Sequence, residues 1–314
     1  MHVYRWDLDK TYLHTEFGSV RALVRTALEP AAAKRNTPGS AALLRALQQH
    51  DPASRTTVVS GSPKQMRRTL TEKLAMDGIR VDKLTLKDNL GNLRRGRLRA
   101  VWGQVGYKLP HLLAERVGHD PGDTETLFGD DAEVDAAVYA VYADAISGRI
   151  GPDQVREVLE RGGAYTDDIE RGLAALAKAP RADAVEDIFI RLDAGGPLER
   201  FAPLASRVTP VFSWLQAALV LWRRGRIAIP GVQAVFRRCI DQGDLASASV
   251  SGLVQDAVRR RLVSPEQVDR LLVEAADLAV VAPEIRRSIE YLGELPPAPA
   301  PAPADPISFL EHTA

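Results

Sequence analysis

The chain has a single cysteine, Cys239, in 314 residues. That excludes an intrachain disulfide framework and any thiolate cage for a metal. A charge excess is also missing: Lys plus Arg and Asp plus Glu each number 41, so no overall field draws the protein toward nucleic acid or an anionic membrane. Nor is there a membrane-spanning run. The longest apolar segment, VTPVFSWLQAALVLW (Val208–Trp222), contains Pro, Ser and Gln and is too short for a bilayer. It reads as a buried helix. No basic leader stands before an apolar stretch at the N-terminus, which predicts a soluble cytoplasmic protein. With 45% hydrophobic and 26% charged residues, the chain can build a sizeable core in one large domain or two modest ones. Cys239, within VFRRCI, fits a small core residue on a helix.

What is present begins at once, with VYRWDLDKTYLHT from Val3. A short apolar run leads into Asp7 and Asp9, which share one side of an extended segment. Two like charges on one side are unfavourable unless something compensates them, and a cation is the simplest candidate. Further strand and helix patterns then alternate to about residue 150. HVYRWD, RVDKLTLKDN and DTETLFGDD (Asp123–Asp131) are strand candidates, and RTTVVSGSP (Arg55–Pro63) reads as a β-branched strand ended by its Gly and Pro, then a turn. SAALLRALQQH (Ser40–His50), KQMRRTLTEKLAMDG, VWGQVGYKLPHLLAERVG and VDAAVYAVYADAIS are helical in pattern, with Pro110 either inside the third or marking a new start. Alternation of this kind predicts an α/β fold with a parallel sheet, whose ligands gather at the carboxyl ends of the strands. Asp7, Ser60 and Asp130 all fall at such ends.

After Gly148 strand-like runs give way to helical ones up to about Leu292, predicting an all-helical domain over residues 151–292. Pro152, Pro230 and Pro265 each sit near a helix start, where a missing N–H costs nothing. The three starts share a loose local pattern, a weak sign of degenerate repeats. From LPPAPAPAPAD (Leu295–Asp305) the composition is that of a stiff linker, so residues 293–314 read as a flexible tail whose last segment is frayed rather than docked.

The chemistry must therefore lie before Gly148. An acid pair at one strand end, a hydroxyl at a second, a lysine and an acidic cluster at a third suit phosphoryl transfer. Asp7 would attack phosphorus and form an aspartyl-phosphate. Asp9 would protonate the leaving oxygen and then activate water. Ser60 would hold a phosphoryl oxygen, Lys108 would neutralise developing charge, and carboxylates from separate strand ends would hold Mg²⁺.

DLDKT, TTVVSGS and FGDDAEVD, in this order, resemble the motifs of the haloacid dehalogenase-like (HAD) phosphatase superfamily. More narrowly, VVSGSP, LTLKDN, YKLPHLL and LFGDDAEVDAAVY are similar to the catalytic domain of actin-patch-type phosphatidate phosphatases. The resemblance covers roughly residues 3–150 and implies a HAD-like Rossmannoid sheet domain with a minimal cap. It implies that Asp7 is nucleophile and metal ligand, and that Asp9 is acid/base and binds the metal through its carbonyl. Thr11 would stabilise the loop after the nucleophile. Ser60 and Gly61 would bind phosphate with Lys108, and Asp130 would ligate Mg²⁺. Asp135 would either orient Lys108 or support the metal shell, and Asp131 is either a second acidic contact or solvent-facing. Lys10 departs from the Asp or Gly common at its position.

Several choices stay open in the residues themselves. Ser62 rivals Ser60, and Lys87 rivals Lys108. RRGRLR (Arg94–Arg99) is either a solvated face or a positive rim, in which case Arg94 and Arg95 are substrate contacts. Two functions from different classes follow. One is a Mg²⁺-dependent phosphomonoesterase for a bulky phosphorylated substrate, such as a phosphorylated lipid, without nucleic-acid binding. The other is a scaffold whose helical half binds a protein partner while the phosphatase-like domain is inactive.

Overall fold

In the computed structural model the described residues are 1–15, 29–88, 103–132, 134–242, 247–275, 278, 281–293, 304–306 and 309. A six-stranded parallel sheet runs through the middle. Its strands are β1 (His2–Trp6), β2 (Arg55–Pro63), β3 (Lys83–Lys87), β4 (Thr124–Asp130), β5 (Val185–Arg191) and β6 (Thr209–Val211), in the spatial order β3-β2-β1-β4-β5-β6. This is the Rossmann-like order, in which the chain fills one side of β1 and then crosses to the other. The crevice opened by that reversal lies between the carboxyl ends of β1 and β4. Asp7 follows one, and Asp130 ends the other.

Neighbouring residues on the strands point to opposite faces, and both faces are buried. Val58, Phe128 and Phe189 enter one core, while Val59, Leu127, Ile188 and Ile190 enter the second. The first core packs against α1 (Ser40–His50), α2 (Arg67–Met76), α7 (Trp214–Arg223), α8 (Ile229–Gln242), α9 (Ser247–Arg259), α10 (Pro265–Glu274) and α11 (Ala282–Glu290). The second takes α3 (Val105–Arg116), α4 (Asp135–Ser147), α5 (Pro152–Arg161) and α6 (Thr166–Lys178). Nearly all of α4 is buried, as an alanine-rich helix apolar all round must be. Pro110 lies inside α3 rather than starting a new helix.

The chain beyond Gly148 is mostly helical, but strands do not vanish there: β5 and β6 join the same sheet as β1. The buried helix expected over Val208–Trp222 is corrected in the same way. Thr209–Val211 is the edge strand β6, Pro210 is tolerated at that edge, and the helix starts only at Trp214. Ser213 marks the break, its hydroxyl accepting the Leu215 N–H as an N-cap. All three proline-marked starts fall in a first turn: Pro152 and Pro265 are the first residues of α5 and α10, and Pro230 is the second of α8. Cys239 is a buried core residue of α8, and its thiol pKa is raised by burial. Within the tail, Phe309 is buried against Phe201, their ring centres 5.6 Å apart. Among the described residues, no helix is long and apolar enough to cross a membrane.

At the amino end of β1, His2 is buried between the hydroxyls of Thr124 and Thr126, at 2.7 and 3.0 Å. Burial first, and Arg226 second, lower its pKa from 6.5 to about 4. A His whose folded pKa is depressed contributes stability that is complete above its unfolded pKa and is lost as pH falls toward the folded one. The urea midpoint is therefore expected to drop between pH 6.5 and 4, and a His2→Asn variant should lose much of that slope. An equal slope in both proteins would place the acid sensitivity elsewhere.

Candidate active site

Asp7 leaves β1 with its backbone N–H bonded to the Phe128 carbonyl, 2.9 Å away, which sets its side chain at the crevice. Lys108, on the first turns of α3, donates from Nζ to Asp7 Oδ1 at 2.9 Å and to Asp135 Oδ1 at 2.5 Å. All three residues are fully buried. Asp135 opens α4 and can approach the strand because position 129 is glycine. A Cβ there would lie 2.7 Å from both Cβ and Oδ2 of Asp135 and 2.9 Å from the Tyr139 ring. Gly129→Ala must therefore push α4 away and loosen the Asp135–Lys108–Asp7 chain. A misplacement of about 1 Å can cost on the order of 10²-fold in rate, so kcat of this variant should fall by roughly that factor. Wild-type kcat in a folded Gly129→Ala protein would show that the contact is dispensable.

Asp9 turns toward β2. Its Oδ2 accepts from the hydroxyls of Ser60 at 3.1 Å and Ser62 at 2.7 Å, and Ser60 Oγ accepts the Ser62 N–H at 2.9 Å. The two serines thus act on the same carboxylate. Gly61 between them faces Gln104, whose Nε2 would stand 2.5 Å from an added Cβ.

Thr11 donates its hydroxyl to Asp130 Oδ2 at 3.0 Å, tying the loop after β1 to the end of β4, while Asp130 Oδ1 accepts the Ala132 N–H at 2.8 Å. Lys10 has φ 62°, the left-handed region where a glycine would sit without strain. Replacing it with Gly should therefore leave thermal stability within about 1 kcal/mol of wild type, whereas a β-branched Lys10→Val should cost more than Lys10→Gly. A calorimetric scan of the two variants checks this order.

Asp7, Asp130 and Asp135 each offer a carboxylate oxygen, and these oxygens lie within 4.8 Å of one another. Lys108 pairs with two of these three buried carboxylates, those of Asp7 and Asp135. An all-oxygen donor set of this kind suits a hard divalent ion. A buried aspartate triad could thus hold a metal. Behind it, burial and then Asp135 raise the Tyr139 phenol well above its ordinary pKa, so it stays neutral, 3.4 Å from the Phe128 carbonyl.

The structure brings Asp7, Asp9, Thr11, Ser60, Gly61, Lys108, Asp130 and Asp135 to one end of the sheet. The carboxylates that cluster are those of Asp7, Asp130 and Asp135, while the Asp9 carboxylate is held by the serines. Lys108 rather than Lys87 reaches Asp7: Lys87 donates to the Gly103 carbonyl at 2.6 Å and lies 5.5 Å from the Tyr107 ring centre. Asp131 is not solvent-facing. It is buried, and its Oδ1 accepts the N–H groups of Asp193 and Ala194 at 2.6 and 2.8 Å. Arg94 and Arg95 lie outside the described residues. The sequence pattern passed over Ser62 as a partner of Asp9, and over Arg191 and Trp214. Ser62 carried the signal of alternation with Ser60, and Arg191 ends the β-branched run of β5.

A parallel sheet that gathers acidic side chains and the buried Lys108 at its carboxyl end is an arrangement suited to phosphoryl transfer. Residues 6–157, just under half of the chain, match the family described as Phosphatidate phosphatase APP1, catalytic domain, a phosphoric monoester hydrolase family. The matched span ends within α5, so β5, β6 and α6–α11 lie beyond it. No curated protein and no solved structure matches the chain.

Proposed function

We propose that the protein is a Mg²⁺-dependent phosphomonoesterase of the haloacid dehalogenase-like kind, acting on phosphatidate through an aspartyl-phosphate on Asp7. The observation that carries this is the buried Asp7–Lys108–Asp135 chain beside Asp130, at the switch point of the sheet. Asp7, Asp130 and Asp135 would hold Mg²⁺, which supplies charge neutralisation for the phosphoryl oxygens. An Asp7 carboxylate oxygen forms the bond to phosphorus as the bond to the alcohol oxygen breaks. Asp9 gives its proton to that leaving oxygen. The same carboxylate then takes a proton from water, which attacks phosphorus, releases inorganic phosphate and restores Asp7. The hydroxyls of Ser60 and Ser62 both donate to Asp9 Oδ2 and so fix the orientation of this carboxyl group. Lys108 holds the nucleophile in one orientation and offsets charge that builds on the phosphoryl group. The lipid substrate rests on the family's description.

The test is phosphate release by purified full-length protein with and without Mg²⁺, over phosphatidate, nucleotides, sugar phosphates and phosphopeptides. Metal-dependent release with phosphatidate as best substrate is expected. A different best substrate would overturn the lipid assignment while leaving the chemistry. Silence across the panel from folded protein would shift the function to partner binding by the helical half.

A further inference from the structure

The loop that carries the reacting acids is held by residues from beyond the family-matched span, and we propose that Arg191 and Trp214 are positioning residues for catalysis. This rests on Asp7 and Asp9 being the reacting carboxylates. Residues 8–13 form a tight turn in which the N–H groups of Tyr12 and Leu13 both bond to the Leu8 carbonyl, at 2.9 and 2.7 Å. The Lys10 backbone in this turn adopts φ 62°, which an L side chain resists, so outside contacts must hold it there. Arg191, at the carboxyl end of β5, supplies one: its Nη1 donates to the Lys10 carbonyl at 3.2 Å. The same guanidinium meets Asp193 Oδ1 at 2.5 Å, and Asp193 Oδ2 lies 3.8 Å from Lys10 Nζ. Asp193 is fixed in turn by its N–H bond to Asp131, next to the proposed metal ligand Asp130. Trp214, the first residue of α7, supplies the second contact, donating from Nε1 to the Thr11 carbonyl at 3.1 Å. Its indole cannot drift. It is fully buried with ring centres 5.3 Å from Trp6 and 5.9 Å from Phe128.

Asp9 and Thr11 are thus fixed at their side chains by β2 and β4, and the peptide units between and after them by β5 and α7. Strand pairing makes the second half of the clamp: Arg191 sits opposite Asp130 in the β4–β5 register, so a guanidinium there spans the crevice to the loop. The region after residue 157 is in this account a working part of the active site, which neither a separate scaffold nor an appended lid would be.

The experiment uses the full chain and the variants Arg191→Gln, Arg191→Lys and Trp214→Phe. Phenylalanine keeps an aromatic ring in the Trp6–Phe128 stack but removes the indole donor. Loss of positioning is expected to lower kcat about 10- to 100-fold with KM within about twofold, since a small shift of a reacting group carries that cost. Arg191→Lys should recover part of the loss, because an ammonium can still donate to a carbonyl. Amide hydrogen exchange supplies a readout that needs no turnover: Tyr12 and Leu13 should exchange at least about tenfold faster in Arg191→Gln, with α4 unchanged. Wild-type exchange in the loop together with wild-type kcat would overturn the proposal. So would exchange that rises equally throughout the molecule, which marks a merely structural role. If wild-type protein releases no phosphate from any substrate, the phosphatase assignment fails, and the exchange result alone decides whether these residues hold the loop.

Discussion

Asp7→Asn is expected to abolish metal-dependent phosphate release, with kcat lowered by about 10⁴-fold or more, the scale of removing a nucleophile. Asparagine has the shape of aspartate and can still accept from Lys108, but its amide does not attack phosphorus. The fold should survive, because Lys108 retains the Asp135 carboxylate at 2.5 Å and is not left as an unpaired buried charge. Asp9→Asn should be milder, about 10²- to 10⁴-fold, the usual contribution of a general acid–base group. It should act on both halves of the reaction, since one carboxyl serves leaving alcohol and incoming water. Kinetics and urea unfolding of the two variants check these expectations together. Metal-dependent turnover near wild type in Asp7→Asn would remove Asp7 from the chemistry.

Glu125→Gln should be strongly destabilising, at about 3–5 kcal/mol, because two buried guanidinium groups, Arg5 and Arg116, would then share the single carboxylate of Glu115, which pairs with Arg5. Glu125 Oε2 is 2.6 Å from Arg5 Nε and its Oε1 is 3.0 Å from Arg116 Nη1, while the Tyr142 hydroxyl donates to the same carboxylate at 2.9–3.0 Å. Arg5 also reaches Glu115, 2.5 Å away, and none of the four ionised side chains is more than 4% exposed. Glutamine keeps the volume and one acceptor but cannot balance Arg5 and Arg116. Burial alone would raise the Glu125 pKa. Arg5 overcomes it, with His119 and Arg116 adding to the effect, and the carboxyl is held well below its ordinary 4.5. A depressed carboxylate contributes stability above its unfolded pKa and loses it as pH falls toward the folded value. Wild type should thus weaken below about pH 4.5, and Glu125→Gln should be flatter there and less stable at pH 7. A urea midpoint at pH 7 within about 0.5 kcal/mol of wild type would sink the expectation, since that is the scatter of ordinary surface changes.

The scaffold and enzyme alternatives also bear on where the chain divides. Helices α7–α11 do not stand apart: Trp214, Val232 and Cys239 lie in the same core as Tyr4 and Leu43. A cavity at Trp214 would therefore disturb the sheet as well as the helices. This continuity is why the variant chosen at that position keeps an aromatic ring.

Local pattern by itself determined much of this protein. Ser40–His50 forms a helix at the expected bounds and Asp135–Ser147 one within a residue of them, because alanine-rich apolar faces and the flanking Gly39 and Gly148 act within a few residues. Asp7 and Asp130 could be placed at strand ends, whereas Ser60, expected at the end of its strand, lies inside β2, which runs on to Pro63 past an irregularity in its pairing with β3. Tertiary structure alone decided the rest. β5 and β6 are short and sit in a helical region, and only pairing with β4 makes them strands. Lys87 rivals Lys108 in local pattern, and only the packing of α3 on the sheet brings Lys108 to Asp7, while Lys87, at the end of β3, donates to the Gly103 carbonyl. Arg191 and Trp214 reach the nucleophile loop across 181 and 203 residues of chain. Contacts of that separation depend on strand order and core packing, which no local window of sequence contains.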